Sequence, residues 1–423
     1  MNFENSLSFA RKADGLDPLR KFRKEFLFPV INKKRQLYFT GNSLGLQPRR
    51  ASKLVNEELQ DWSRLAVEGH LYSRRPWLYY HHFSKKSLAR IVGAKPTEVV
   101  AMNQLTVNLH LMMASFYRPN SLRYKVIMEK SSFPSDRYAV ESQIKFHGFK
   151  PEEALIEVAP RKGEYTLRTQ DILGVIREHG DETALVLFSG VQYYTGQWFD
   201  MARITQTAHA VGALAGFDLA HAIGNVPLKL HRDGADFAVW CGYKYLNSGP
   251  GGLAGIFVHE KHASDFSIPR FAGWWGHNEK TRFEMGPDFI PMKGAEGWQL
   301  SNFPVLAGAS QLAALEIFDQ TSMDELRKKS LRLTGYLEFI LNEFKEHFPH
   351  FDIITPSDAS QRGCQLSLLF HKNGKNIFKQ ITGKGIIVDW REPNVIRIAP
   401  VPLYNSFEDI YRVGVALKES IKK

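Results

Sequence analysis

Cysteine is nearly missing: the chain of 423 residues has two, Cys241 and Cys364. So few cysteines cannot build a disulfide framework, and they fit a reducing compartment. Neither stands in a metal-ligand spacing, so no metal site is expected. Long apolar runs are missing too, and none nears the roughly 18 residues of a membrane span. The opening stretch MNFENSLSFARKADGLDP carries Glu4, Asp14 and Asp17 and no apolar segment, so no signal peptide is expected. Internal repeats and Ser/Gly- or Gln-rich tracts are also missing, which argues against solenoids and long disorder. A cytoplasmic protein without membrane contact is expected.

What is present is ordinary for a globular protein: 43% hydrophobic and 23% charged residues. The length exceeds what one core usually supports, so a large domain with a smaller companion is expected. The net charge of +11 raises the question of nucleic acid. Its basic residues, however, fall in short clusters such as NKKR and LRKKS without interleaved aromatics, which reads as solvated surface with no nucleic-acid partner. A phosphorylated cofactor or a carboxylate substrate would also gain from such a field.

From about Val99 to Val258, apolar segments alternate with helical patterns: VVAMN, YKVIME, ALVLFSG, ALAGFD, DFAVWC and GLAGIFV. That alternation predicts an α/β unit around a mainly parallel sheet. Within it, DMARITQTAHAVG has helical spacing, with Asp200 as N-cap and Gly212 as stop. After Pro304 the pattern becomes helical, and SMDELRKKSLRLTGYLEFILNEFKEHF opens on a capping box from Ser322 to Glu325. Leu326, Leu333, Leu337, Leu341 and Phe344 share one face of that helix. QLSLLF, GIIVDW and VIRIAP follow as strands of a smaller α+β domain, packed by helices around Leu333 and Ile410. The division expected is 1–65 as an N-terminal segment with a helix from Ala51 to Leu65, 66–305 as the large domain and 306–423 as the small one. The first segment has no strand series of its own.

The stretch WCGYKYLNSGPGG sets Lys244 beyond a strand, before a loop too glycine-rich to continue it. A lysine after a strand is ordinarily a snorkelling surface residue. At the carboxyl end of an open α/β sheet, where ligands bind, partial desolvation instead favours a neutral amine, the form Schiff-base chemistry requires. Upstream, GALAGFDLAHAIGN ends a strand on Asp218, with His221 beyond it. Such an aspartate is often only a turn or cap. It is also what pyridoxal phosphate needs: a carboxylate at the pyridine nitrogen keeps the ring protonated and electron-withdrawing. In NQLTVNLHLMM a helix start with Thr106 as cap offers an anion cradle, or merely a cap. SSFPSD, from Ser131 to Asp136, supplies Phe133 to stack on a ring, or is a proline turn before a helix.

Taken together, YFTGNSLGLQP, FPSD, FSGVQYYTGQ, DLAHAIGN, WCGYKYLNSGPGG, GWWGH and VIRIAPVPLYNSF closely resemble kynureninase, a pyridoxal-phosphate enzyme of the aspartate aminotransferase fold. The likeness runs from Tyr38 to about Phe407. It implies fold type I of the PLP-dependent transferases, with a large cofactor-binding domain and a small C-terminal α+β domain. It also implies a homodimer that hydrolyses the Cβ–Cγ bond of kynurenine or 3-hydroxykynurenine, in tryptophan breakdown or NAD synthesis. The products are alanine and anthranilate or 3-hydroxyanthranilate.

Carried over residue by residue, the resemblance makes Lys244 the cofactor-bearing lysine and the base for the α-proton. Asp218 pairs with the pyridine nitrogen, His221 lies beside it, and Phe133 covers the ring within Phe133, Pro134, Ser135 and Asp136. Leu105, Thr106, Ser189 and Tyr243 take cofactor-contacting positions, with Tyr243 also an acid/base candidate. Trp274 and Asn302 would reach the site from the neighbouring subunit. Arg397 lies between Ile396 and Ile398, which turns it to the opposite face of its strand, where a planar guanidinium suits a substrate α-carboxylate. His70 and Asn302 match substrate-ring contacts and favour the 3-hydroxylated substrate.

Two rivals stand beside this reading. A cysteine desulfurase or aminotransferase of the same fold would share Lys244, Asp218 and Arg397. A desulfurase, however, needs a mobile nucleophilic cysteine, and neither Cys241 nor Cys364 has an obvious loop for it. A catalytically silent fold using its basic surface for nucleic acid would have no need of Lys244 and Asp218.

Overall fold

The structure, a computed structural model, describes residues 3–345 and 351–421. Its centre is a seven-stranded sheet whose spatial order, by first residue, is Val99, Gly255, Phe237, Leu214, Thr183, Lys125, Leu155. Neighbouring strands from Phe237 to Leu155 run parallel. Gly255–Val258 runs against both its neighbours. Side chains of alternate strand residues enter different cores, as the pleat requires. Val126 and Met128 face one core and Ile127 the other; Val239 faces the first and Trp240 the second. With both faces covered, the strands read as continuous apolar runs, which is why they were legible.

One strand was not anticipated. Leu155–Val158 pairs parallel with Lys125–Glu129 at the sheet edge. It is only partly buried, so its sequence carries a weak apolar signal. Asp200 caps its helix as expected, accepting the Arg203 N–H at 3.2 Å, and Ser322 Oγ accepts the Glu325 N–H at 3.2 Å.

The N-terminal segment divides between the two cores. Helix Arg49–Leu65 packs on Val305–Phe318 beside the large sheet. Helix Leu7–Gly15 instead lies on the C-terminal helix Phe407–Ile421, whose Phe407 and Glu408 N–H groups donate to Asp14. A buried ion pair of 2.7 Å, Asp17 to Lys329, fixes the same junction. Val305–Phe318 also packs on helix Tyr80–Val92, so the expected small domain's first helix shares the core of the large sheet. The second core gathers Leu333, Leu337, Leu341 and Ile410 around an antiparallel four-stranded sheet of order Phe351, Leu366, Val395, Asp389. GIIVDW is two strands rather than one: Ile386–Ile387 pairs parallel with Leu37–Tyr38, and Asp389–Arg391 joins the four-stranded sheet. Among the described residues no helix is long and apolar enough to cross a membrane.

Candidate active site

Because the strands are parallel, Glu129, Ser189 and Asp218 all end at one edge of the sheet, the edge at which an open α/β sheet leaves a crevice. The chain leaves Phe237–Trp240 on the same edge, so Lys244 arrives there four residues later in a turn. A cavity of ≈170 Å³ opens at this point. Of the expected residues, Leu105, Thr106, Phe133, Ser135, Asp136, Ser189, Asp218, His221, Tyr243 and Lys244 line it. Pro134 stands just behind as the first residue of helix Pro134–Phe146, where a missing N–H costs nothing.

Lys244 Nζ is 3.0 Å from His221 Nε2. Burial, then the Lys244 charge, holds the His221 imidazole well below its usual range, so it is neutral and its Nε2 accepts from the lysine. Asp218 Oδ1 accepts the Ala220 N–H at 2.6 Å. Burial pushes the Asp218 carboxyl up, while that N–H and Lys244 pull it back. Asp136 is pushed much further, by burial and then by the Asp218 charge. Two buried carboxyls therefore share the site; Asp136 keeps its proton and Asp218 ionises first. Asp136 Oδ1 has no hydrogen-bond partner among the described residues.

The opposite wall is built by two helix N-termini, Leu105–Phe116 and Pro134–Phe146, neither capped by a side chain among the described residues. Thr106 is not the cap that the sequence suggested: Gln104 holds that position, and Thr106 lies inside the first turn. Its Oγ1 instead meets Ser135 Oγ at 2.9 Å, joining the two helix starts. Free N–H groups, helix dipoles and paired hydroxyls together suit a phosphate. A pyridoxal phosphate fits this chemistry at both ends: the acid pair for a ring nitrogen, the paired helix starts for the phosphate.

Some expected residues stand outside the cavity. Arg397 is fully buried on the face opposite Ile396 and Ile398, as the alternation predicted. There it donates to the Tyr193 carbonyl at 2.6 Å and to Asp389 Oδ2 at 2.5 Å, and Tyr193 itself lines the cavity. His70 sits in a four-residue helix with its ring edge-on to Trp77, 5.5 Å between centroids. Trp274 and Asn302 are exposed, in the segment that follows the large sheet. None of these lines the cavity within the chain.

Sequence reasoning missed Val191, Tyr193 and Ala220 as lining residues. The signal for Tyr193 was an aromatic pair directly after a strand end. It also missed Glu129, which ends its strand as Asp218 does and accepts from Ser189 Oγ at 2.5 Å. Burial, reinforced by the Asp218 charge, pushes the Glu129 carboxyl up to about 7. Burial also raises the Tyr243 phenol, so it is a proton donor at neutral pH.

Comparisons agree with this geometry. The family model described as "Kynureninase C-terminal domain" matches residues 326–417. A kynureninase of Myxococcus xanthus is 57% identical over 411 residues, covering 97% of this chain and 96% of that protein. A kynureninase of Flavobacterium psychrophilum is 54% identical over 422 residues, covering 100% and 99%. Among solved structures, the apo cysteine desulfurase of Thermococcus onnurineus NA1 superposes with a TM-score of 0.77 at 16% identity, covering 95% of this chain and 98% of that one. A C-DES mutant with glycine covalently linked to its PLP cofactor gives a TM-score of 0.75 at 16% identity, covering 91% and 96%. These last two speak for the fold alone, the type I fold of PLP-dependent enzymes. The relatives of full length say more: this chain belongs to the kynureninase family.

Proposed function

We propose that this chain hydrolyses the Cβ–Cγ bond of kynurenine or 3-hydroxykynurenine, releasing alanine and the aryl acid, with pyridoxal 5'-phosphate as cofactor. The observation that carries the reading is the meeting of Lys244, His221 and the Asp136–Asp218 pair in one cavity of a kynureninase-family chain. Bound there, the cofactor supplies an electron sink for the negative charge left on the substrate's α- and β-carbons.

The chain's own residues do the rest. Lys244 would hold the cofactor and, once freed, would take the substrate's α-proton, with His221 accepting its hydrogen bond and so fixing its direction. Asp218 would supply the compensating charge to the ring nitrogen, and Asp136, protonated, keeps a second negative charge from forming beside it. Thr106, Ser135 and the two helix starts would hold the phosphate, and Phe133 would cover the ring. Tyr243, the neighbour of Lys244 that also lines the cavity, is proposed as the acid/base partner. Arg397 is proposed for the substrate α-carboxylate, exchanging its hold on the Tyr193 carbonyl or Asp389 for a bidentate one. Trp274 and Asn302, exposed within one chain, are proposed to complete the partner's site in a cytoplasmic homodimer.

The desulfurase reading loses ground on the cysteines. Both are buried, and burial pushes the Cys364 thiol up to about 12 and Cys241 upward too, so neither offers a mobile thiolate. The purified protein, incubated with kynurenine and then with 3-hydroxykynurenine, should release fluorescent anthranilate or its hydroxylated counterpart together with equimolar alanine. Sulfide from cysteine with no aryl product would reject the proposal.

A further inference from the structure

Away from the cavity, helix Tyr80–Val92 carries two adjacent histidines facing Glu296, which lies in the short turn Ala295–Trp298. His81 is almost wholly buried, and neither of its ring nitrogens has a hydrogen-bond partner among the described residues. Glu296 Oε1 is also buried and unpartnered among them. The carboxylate's other oxygen, Oε2, is held by Lys85 Nζ at 2.7 Å, which turns Oε1 toward the two rings. His81 Nε2 lies 3.6 Å from Oε1 and His82 Nε2 lies 3.4 Å from it. Metal-ligand bonds of about 2.0–2.1 Å at tetrahedral angles set ligand atoms about 3.3 Å apart. The two spacings thus sit near the edges of a metal tetrahedron and beyond the length of a hydrogen bond.

We propose that His81, His82 and Glu296 form a binding site for a divalent transition metal of the zinc class. The donor set, two imidazoles and a carboxylate, is one that zinc takes readily, and the orientation of Glu296 by Lys85 is the kind of outer contact that such sites use. Water or Glu279 completes the fourth position: Glu279 Oε2 is buried, unpartnered among the described residues and 3.6 Å from His82 Nε2.

A second cluster makes the contrast. Glu98, His231 and His259 also lie close together. There Glu98 already accepts from the Lys95 and Glu260 N–H groups at 2.8 Å and meets His231 Nδ1 at 2.9 Å. Its lone pairs are engaged in a closed network, whereas both ring nitrogens of His81 and Glu296 Oε1 have no hydrogen-bond partner among the described residues. The proposed ligands join helix Tyr80–Val92 to the segment between Trp274 and Asn302, so an ion would tie that segment down.

The test uses the holoenzyme, stripped with a chelator and dialysed against Zn2+, with bound metal measured by mass spectrometry. One ion per chain is expected, with affinity at least about tenfold weaker in His82→Ala and in Glu296→Gln and unchanged in His231→Asn. Both substituted side chains touch the surface or keep their shape, so folding is preserved; circular dichroism and bound cofactor verify it. Co2+ in the wild type should give the intense visible bands of tetrahedral coordination, lost in His82→Ala. Equal metal content in wild type and in both variants, or a cobalt spectrum without those bands, would overturn the proposal.

Discussion

Lys244 Nζ and His221 Nε2 stand 3.0 Å apart at the carboxyl edge of the large sheet. A neutral, buried imidazole can accept from the lysine but cannot compete with it for charge. The lysine is thereby held in the cavity that Asp218 also lines.

Lys244→Ala should abolish turnover and borohydride labelling of the cofactor onto the protein, since among the described residues no other lysine lines the cavity. His221→Gln should keep the label but lower kcat/KM about tenfold, the worth of one hydrogen bond of roughly 1.4 kcal/mol. Peptide mapping of the reduced protein checks the first outcome and steady-state kinetics the second. A label on any other lysine would refute the assignment.

The two carboxyls should respond unequally. Asp218→Asn removes the charge proposed to face the ring nitrogen and is expected to slow α-proton removal roughly a hundredfold, about 3 kcal/mol. Asp136→Asn replaces a carboxyl that is already neutral with a group that also donates, so its loss should be about tenfold or less. Stopped-flow absorbance measures both; a larger loss at Asp136 would exchange their roles.

Glu129 gives a pH signature. Its carboxyl ordinarily titrates at 4.5 and here at about 7, so between those values the folded protein keeps a proton that the unfolded chain has released. Glu129 therefore contributes stability below pH 4.5 that is lost as pH rises to about 7, at most about 3 kcal/mol. Glu129→Gln should flatten the fall in unfolding free energy across that window, as read by urea denaturation. Some slope should remain, because Asp136 and Asp218 are shifted in the same direction.

Shared sites can be tested by mixing. Lys244→Ala and a Trp274→Ala, Asn302→Ala double variant should each be impaired. Refolded together in equal amounts they should regain about a quarter of wild-type activity, because each mixed dimer assembles one intact site. Recovery no better than the sum of the separate variants would place Trp274 and Asn302 outside the partner's site.

Substrate choice is expected to depend on His70 and Asn302. His70 Nδ1 is buried without a partner among the described residues, a polar group available to a phenol hydroxyl. The wild type should show a higher kcat/KM for 3-hydroxykynurenine than for kynurenine, by about 1 to 3 kcal/mol of discrimination. The ratio should fall toward one in a His70→Trp, Asn302→Thr variant, and an unchanged ratio would mean that neither residue reads the hydroxyl.

Much of this molecule was legible because its signals are local. The strand ending at Asp218, the strand before Lys244, the Asp200 cap and the apolar face from Leu326 to Phe344 each follow from spacing within about one element. Periodicity states which face of a segment is buried and where it stops, and parallel strands carry their functional residues to a common edge. The family motifs added roles to those positions.

What the sequence alone determined, then, was the set of elements and the chemistry carried at their ends. Only the tertiary structure decided which distant groups meet. Leu37–Tyr38 pairs with Ile386–Ile387, Arg397 is held by Tyr193 and Asp389, and His81 faces Glu296. No spacing encodes such partners, because a segment's apolar pattern is satisfied equally by many neighbours. Which of Asp136 and Asp218 keeps its proton is decided in the same way, since a carboxyl's charge depends on the water removed from it and the charges brought near, and folding sets both.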